Sequence, residues 1–169
     1  MSLKLIALMG GLVLLAACSS PPPAPGPGPG PGAYGAAAPG GPGGISAAQI
    51  VPGSQEDLAQ TAGDRVFFAF DRSDISPEAQ QTLARQAEWL RRYPNVMVRI
   101  EGHCDERGTR EYNLALGARR AEAAKNVLVA LGIPESRLST ISYGKDRPVV
   151  LGSDEAAWAQ NRVAITTVQ

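Results

Sequence analysis

Histidine and cysteine are nearly missing from this chain: its 169 residues hold one histidine, His103, and two cysteines, Cys18 and Cys104. A structural zinc site draws four ligands mostly from those two types, so a metal-stapled domain is disfavoured. A disulfide is disfavoured too, because Cys18 abuts an apolar leader while Cys104 lies far along the chain in a folded region. Net charge is also absent, with 16 Lys and Arg against 16 Asp and Glu, which removes the long-range pull that nucleic-acid binders use. No apolar run reaches the ~20 residues of an ordinary membrane-spanning helix. Finally, no charged residue occurs between Lys4 and Glu56, so the early part of the chain has the wrong composition for a globular surface.

What fills the uncharged region falls into two parts. Met1 to Lys4 make a short positive start and Leu5 to Ala17 an apolar core, the pattern of a signal peptide over residues 1–17. It closes in Leu15-Ala16-Ala17-Cys18, which resembles the lipobox of bacterial lipoproteins. That resemblance implies cleavage before Cys18 and lipid on its sulfur. Each buried methylene contributes ~0.8 kcal/mol, so the three acyl chains carried by such lipoproteins make dissociation negligible. Ser19 at the next position resembles the outer-membrane sorting signal. Residues 21–44 then hold nine prolines and nine glycines in 24 positions, which cannot bury enough apolar surface to offset chain entropy. Glycine does not recur at every third position, so this is a spacer and not a collagen-like segment. Residues 18–63 are read as lipidated N-terminus and linker, long enough to reach ~40 Å as a coil or ~140 Å if extended. A helical turn or two over Ser54 to Ala62 is the one structured element it could hold.

Residues 64–169 carry 15 Lys and Arg and 14 Asp and Glu and match the size of one domain. Val66 to Phe70 reads as a strand. Ser76-Pro77-Glu78 reads as a helix start, with Ala79, Leu83, Ala87 and Leu90 on one face until Tyr93-Pro94. Val96 to Glu101 alternates as a half-buried strand. A second helix runs from about Thr109 to Leu131-Gly132. Leu138 to Tyr143, Ser153 to Gln160 and Arg162 to Val168 read as strand, short helix and strand. The order β-α-β-α-β-(α)-β predicts an α/β (α+β) sandwich, helices packed on a mixed four-stranded sheet.

At ~100° per residue, Gly117, Ala121, Ala124, Leu128 and Leu131 share one arc of the second helix, and Asn113 and Arg120 fall inside it. A guanidinium on an apolar stripe needs partners. Asp71 after the first strand and Asp105 after the second can meet it at one edge of the sheet. Two readings stand. One is a pocket for a dipolar ligand, with a carboxylate facing the ligand ammonium and Arg120 its carboxylate. The other is an internal Asp–Arg salt bridge with no ligand. Arg107, Arg110 and Arg119 are assigned to the solvated surface, and Tyr112 and Trp158 to packing.

Phe68-Ala69-Phe70-Asp71, Gly102-His103-Cys104-Asp105-Glu106-Arg107-Gly108-Thr109, Tyr112-Asn113 and Arg119-Arg120-Ala121 together resemble the OmpA-like C-terminal domain, over roughly residues 66–168. The resemblance implies noncovalent binding of diaminopimelate-containing peptidoglycan stems. It places the ligand on Asp105 and Arg120, with Phe70, Asp71, Asn113 and Arg162 lining or supporting the pocket. Cys104 departs from the threonine common there. With the lipobox, the resemblance also implies an outer-membrane protein facing the periplasm, partnered by TolB and other proteins of the Tol envelope system, and acting in envelope integrity and division. Neither enzymatic activity nor a cofactor beyond the lipid on Cys18 is expected. A motor-stator relative would carry a spanning helix, against which the lipobox argues. Two alternatives remain: a lipoprotein that only scaffolds protein partners, and a metal or Cys–His site at His103-Cys104-Asp105-Glu106, disfavoured because strand neighbours alternate faces.

Overall fold

A computed structural model of the chain describes residues 50–169; the expected leader, the lipidation site Cys18 and the proline–glycine segment lie outside them. The elements run α1 (Gln55–Thr61), β1 (Arg65–Phe67), α2 (Pro77–Arg92), β2 (Val98–His103), α3 (Arg110–Ala130), β3 (Leu138–Gly144), α4 (Glu155–Asn161) and β4 (Val163–Val168). The sheet order is β1-β4-β2-β3, with β2 and β3 parallel and the other pairs antiparallel. This is the mixed four-stranded α/β sandwich expected from the sequence. No helix among the described residues is long and apolar enough to cross a membrane.

Local chemistry sets the helix limits. Ser76 accepts from Ala79 N at 3.2 Å with Pro77 in the first turn, and Thr109 accepts from Tyr112 N at 3.2 Å. The end of α3 is a paired closure: Gly132 N bonds Val129 O at 2.8 Å and Ile133 N bonds Leu128 O at 3.0 Å. Gly132, at φ 89°, adopts the left-handed turn this closure needs. Leu83, Ala87 and Leu90 of α2 and Ala121, Ala124 and Leu128 of α3 are fully buried against Val98 and Ile100 of β2.

One close approach positions everything that follows. A Cβ on Gly102 would lie 1.9 Å from the carbonyl oxygen of Gly117, and one on Gly117 would lie 2.4 Å from Ser142 Oγ. Backbone therefore meets backbone where α3 crosses β2, and no side chain fits between them. The crossing draws the N-terminal half of α3 against the loop that leaves β2.

Two elements differ from expectation. β1 ends at Phe67, short of Phe70, because the chain turns out of the sheet: Arg72 N bonds Ala69 O at 3.2 Å and Asp71 takes φ 56°. The packed body also begins before Asp64. Leu58 of α1 and Ala62 just after it are buried in the core, and Trp89 Nε1 donates to Asp57 Oδ2 at 3.1 Å, so α1, assigned to the linker, belongs to the fold.

Removing the side chain of a fully buried leucine typically costs ~2–5 kcal/mol. Leu58→Ala is expected to lower the urea midpoint by that order, and a chain starting at Asp64 to lose at least as much. A midpoint unchanged in both would place α1 outside the cooperative unit.

Candidate functional site

The early exit of β1 carries Phe70 and Asp71 away from the sheet, toward the loop after β2 and the first turns of α3. A cleft of ≈ 160 Å³ opens there. Five of the six residues expected to contact or support a ligand line it: Phe70, Asp71, Asp105, Asn113 and Arg120. The sixth, Arg162, stands behind the cleft and reaches it through Asp105.

Arg120 is 1 % exposed. Its Nε donates to Arg72 O at 2.8 Å, Nη1 to His103 O at 2.8 Å and to Cys104 Sγ at 3.4 Å, and Nη2 to Ala69 O at 3.2 Å. Four of five N–H groups are thus used, on the two loops that frame the cleft. Desolvation pulls its pKa down, yet a guanidinium stays charged at neutral pH. The internal Asp–Arg salt bridge considered from the sequence is not formed by this residue: among the described residues no carboxylate pairs with it, and its charge is left to the cleft.

Asp105 is 4 % exposed and already engaged. Arg107 donates its backbone N and Nε to Oδ1, both at 3.1 Å, and Nη2 to Oδ2 at 2.6 Å, while Arg162 Nη1 approaches Oδ2 at 3.5 Å. Burial alone would raise the Asp105 pKa; the Arg107 side-chain and backbone hydrogen bonds, the Arg107 charge and Arg162 hold it below the usual carboxylate range. Arg162 is fixed in turn by Phe68 O at 3.2 Å and Glu155 Oε1 at 2.8 Å.

Arg107, read from the sequence as a solvated surface residue, is instead part of the cleft. Its guanidinium lies 4.0 Å from the Phe70 ring centroid and 4.2 Å from that of Trp158. An aspartate whose carboxylate accepts from the backbone two residues on is a turn signature, and Asp105 followed by Arg107 is the signal that could have found it. Tyr112, read as packing, is half exposed on the cleft wall and donates its hydroxyl to Asp71 Oδ1. That hydrogen bond, helped by burial, raises the Tyr112 pKa. Asn113 supports and does not reach outward: Nδ2 donates to Arg107 O at 2.8 Å and Thr109 O at 3.1 Å.

The residues of the metal or hydrolase alternative point to other partners. His103 Nδ1 sits 2.9 Å from Arg147 O, and Cys104 donates to Asn113 O at 3.4 Å. Burial pushes the Cys104 thiol up to about 11, far from the thiolate a nucleophile needs. Among the described residues no cluster of His, Cys, Asp and Glu is placed to hold a metal.

Comparison with known proteins identifies the family and the fold. The family model described as OmpA family matches residues 67–162. The peptidoglycan-associated lipoprotein of Agrobacterium fabrum is 56% identical over 122 residues, covering 72% of this chain and 69% of that protein. The crystal structure of the peptidoglycan-associated lipoprotein from Burkholderia pseudomallei superposes with a TM-score of 0.61 at 44% identity, over 63% of this chain and 90% of that one. The C-terminal domain of Helicobacter pylori MotB shares the fold at TM-score 0.59 and 21% identity, over 63% of this chain and 84% of that one. The chain therefore belongs to the OmpA family, and within it to the peptidoglycan-associated lipoproteins. This family is not enzymatic.

The Asp105 pKa tests the described ion pairs. NMR titration should find it below the ordinary aspartate value of ~3.9 and should find it raised in Arg107→Ala, where burial acts with less opposition. A depressed carboxyl contributes stability that is present above the unfolded value and lost as pH falls through the folded one. An Asp105 pKa unmoved by the substitution would contradict the pairing.

Proposed function

We propose that the cleft binds the peptide stem of peptidoglycan by its diaminopimelate residue, Asp105 facing the ligand ammonium and Arg120 its carboxylate. One observation carries this reading: a buried, permanently charged guanidinium lines the cleft and, among the described residues, forms no salt bridge with any carboxylate. Burying a charge without a countercharge is costly, and a ligand carboxylate offsets that cost. One Nη2 donor of Arg120 remains, and the backbone amides at the start of the long helix α3 add a favourable field for an anion. Phe70 walls the cleft, Asp71 and Tyr112 form its polar rim, and Asn113 and Arg162 hold the loops and Asp105 in place.

The relatives' name, peptidoglycan-associated lipoprotein, supports the same ligand, and the lipobox supports lipid on Cys18 and residence at the outer membrane with the cleft in the periplasm. In that setting the protein ties the outer membrane to the wall. TolB and other Tol proteins are the partners this reading adopts, with a role in envelope integrity and cell division.

A charged hydrogen bond contributes ~1.5–3 kcal/mol, or about 10- to 100-fold in affinity. The purified chain should cosediment with sacculi, and Asp105→Asn and Arg120→Ala should each weaken retention by about that factor when retention is counted per folded protein, the folded fraction of each variant being fixed by circular dichroism. Retention at the wild-type level in both variants would refute the site and favour a scaffold that binds only proteins. Mass spectrometry of the mature N-terminus should find Cys18 as the first residue and acylated; an unmodified Cys18 would remove the anchor.

A further inference from the structure

Asp105 has no free face for a ligand cation, because Arg107 occupies it. The guanidinium of Arg107 lies between two carboxylates, with Nη2 2.6 Å from Asp105 Oδ2 and Nη1 3.8 Å from Glu155 Oε2. It also lies against two aromatic faces, Phe70 at 4.0 Å and Trp158 at 4.2 Å. Two anions and two rings around one cation make a slot with general affinity for positive charge.

The two arginines on Asp105 differ in their freedom. The Arg162 side chain is 10 % exposed and anchored to Phe68 O and Glu155. The Arg107 side chain is 31 % exposed and has no carbonyl partner for its guanidinium among the described residues. Its backbone is nevertheless held firmly: Asn113 Nδ2 bonds Arg107 O at 2.8 Å, and Lys145 Nζ bonds Glu106 O at 3.0 Å and Gly108 O at 2.6 Å. The loop is thus fixed through its backbone, whereas the Arg107 guanidinium is held by other side chains alone, Asp105, Glu155, Phe70 and Trp158.

Resting on the function proposed above, we infer that Arg107 is an internal stand-in for the ligand ammonium: it fills the slot formed by Phe70, Trp158, Asp105 and Glu155 in the free protein and leaves when a ligand cation enters. The exchange makes the site selective for dipolar ligands. A simple amine entering the slot replaces one cation by another and gains little. A ligand that also brings a carboxylate to Arg120 adds an interaction the free protein lacks, and only such a ligand displaces Arg107 with net gain.

Equilibrium binding of the full chain and its Arg107→Ala variant tests this, with meso-diaminopimelate and purified sacculi as probes and 1,5-diaminopentane as the amine without carboxylates. A self-occupied site lowers apparent affinity by the fraction that is open, and a partly exposed ion pair is worth about two- to fivefold. Arg107→Ala should therefore bind diaminopimelate and sacculi about two- to fivefold more tightly and should gain binding of the diamine. In the unmutated chain, the Arg107 Nε–H resonance should move to the position of a free arginine on saturation with diaminopimelate. Binding by the wild type that the variant does not improve, or an Nε–H resonance that stays in place, overturns this inference alone. No binding by either protein removes the underlying reading and this one with it.

Discussion

A guanidinium taken out of water needs acceptors for its donors and a countercharge for itself, and Arg120 finds the first close by but the second only at a distance, in Asp105 and Asp71. Its Nε, Nη1 and Nη2 reach carbonyls of Arg72, His103 and Ala69, tying together two loops that are 31 or more residues apart in the chain. Those carbonyls are dipoles: they satisfy hydrogen bonds and leave the formal charge in place. The fold must then keep α3 close enough for the side chain to reach, which the Gly102–Gly117 contact does by bringing two backbones together. A side chain at either glycine would lift α3, and with it Arg120, off the loops it joins. The cleft thus depends on a packing constraint made on the same buried arc of α3 that carries Asn113 and Arg120.

The arrangement separates charge by element. The acid, Asp105, hangs from the end of β2 and is held by groups from the following loop and from the chain before β4. The base, Arg120, projects from the third turn of α3. Because different elements carry the two ends, their spacing follows from sheet–helix packing and does not depend on one flexible loop. In the binding mode proposed above, a dipolar ligand would meet a fixed template at its carboxylate end and an adjustable one at its ammonium end, where Arg107 is already seated.

Residues on periodic elements were legible in advance, and residues on loops were not. The helical wheel placed Asn113 and Arg120 on the buried arc, where they are found, because 3.6-residue geometry needs no tertiary information. Ser76-Pro77 and Thr109 marked helix starts through capping chemistry that is local to three residues. Arg107 was misassigned because its environment is assembled from Phe70, Trp158 and Asp105, and no sequence period links those positions. The end of β1 was overrun for a related reason: Phe68 and Phe70 continue the alternation, but the turn at Asp71 is stabilised by Arg120 and Tyr112 from a distant helix. Helix α1 was underweighted because a short segment has weak intrinsic helicity; burial of Leu58 is what holds it.

The titration behaviour of the cleft also separates binding from catalysis. A general acid or base works best with a pKa near the ambient pH, and these groups are pushed the other way. Asp105 is held below the usual carboxylate range by Arg107 and Arg162 against the effect of burial. Cys104 is driven up to about 11 by burial, which keeps it a thiol. Arg120, though lowered, has no accessible neutral form near pH 7. At neutral pH none of the three exchanges protons readily, so the cleft presents constant charges in constant places. Acidification leaves that pattern intact until the pH falls through the depressed value of Asp105, when the acid end is neutralised while Arg120 keeps its charge. Constant charges of this kind suit the recognition of a dipole proposed above better than they suit proton transfer.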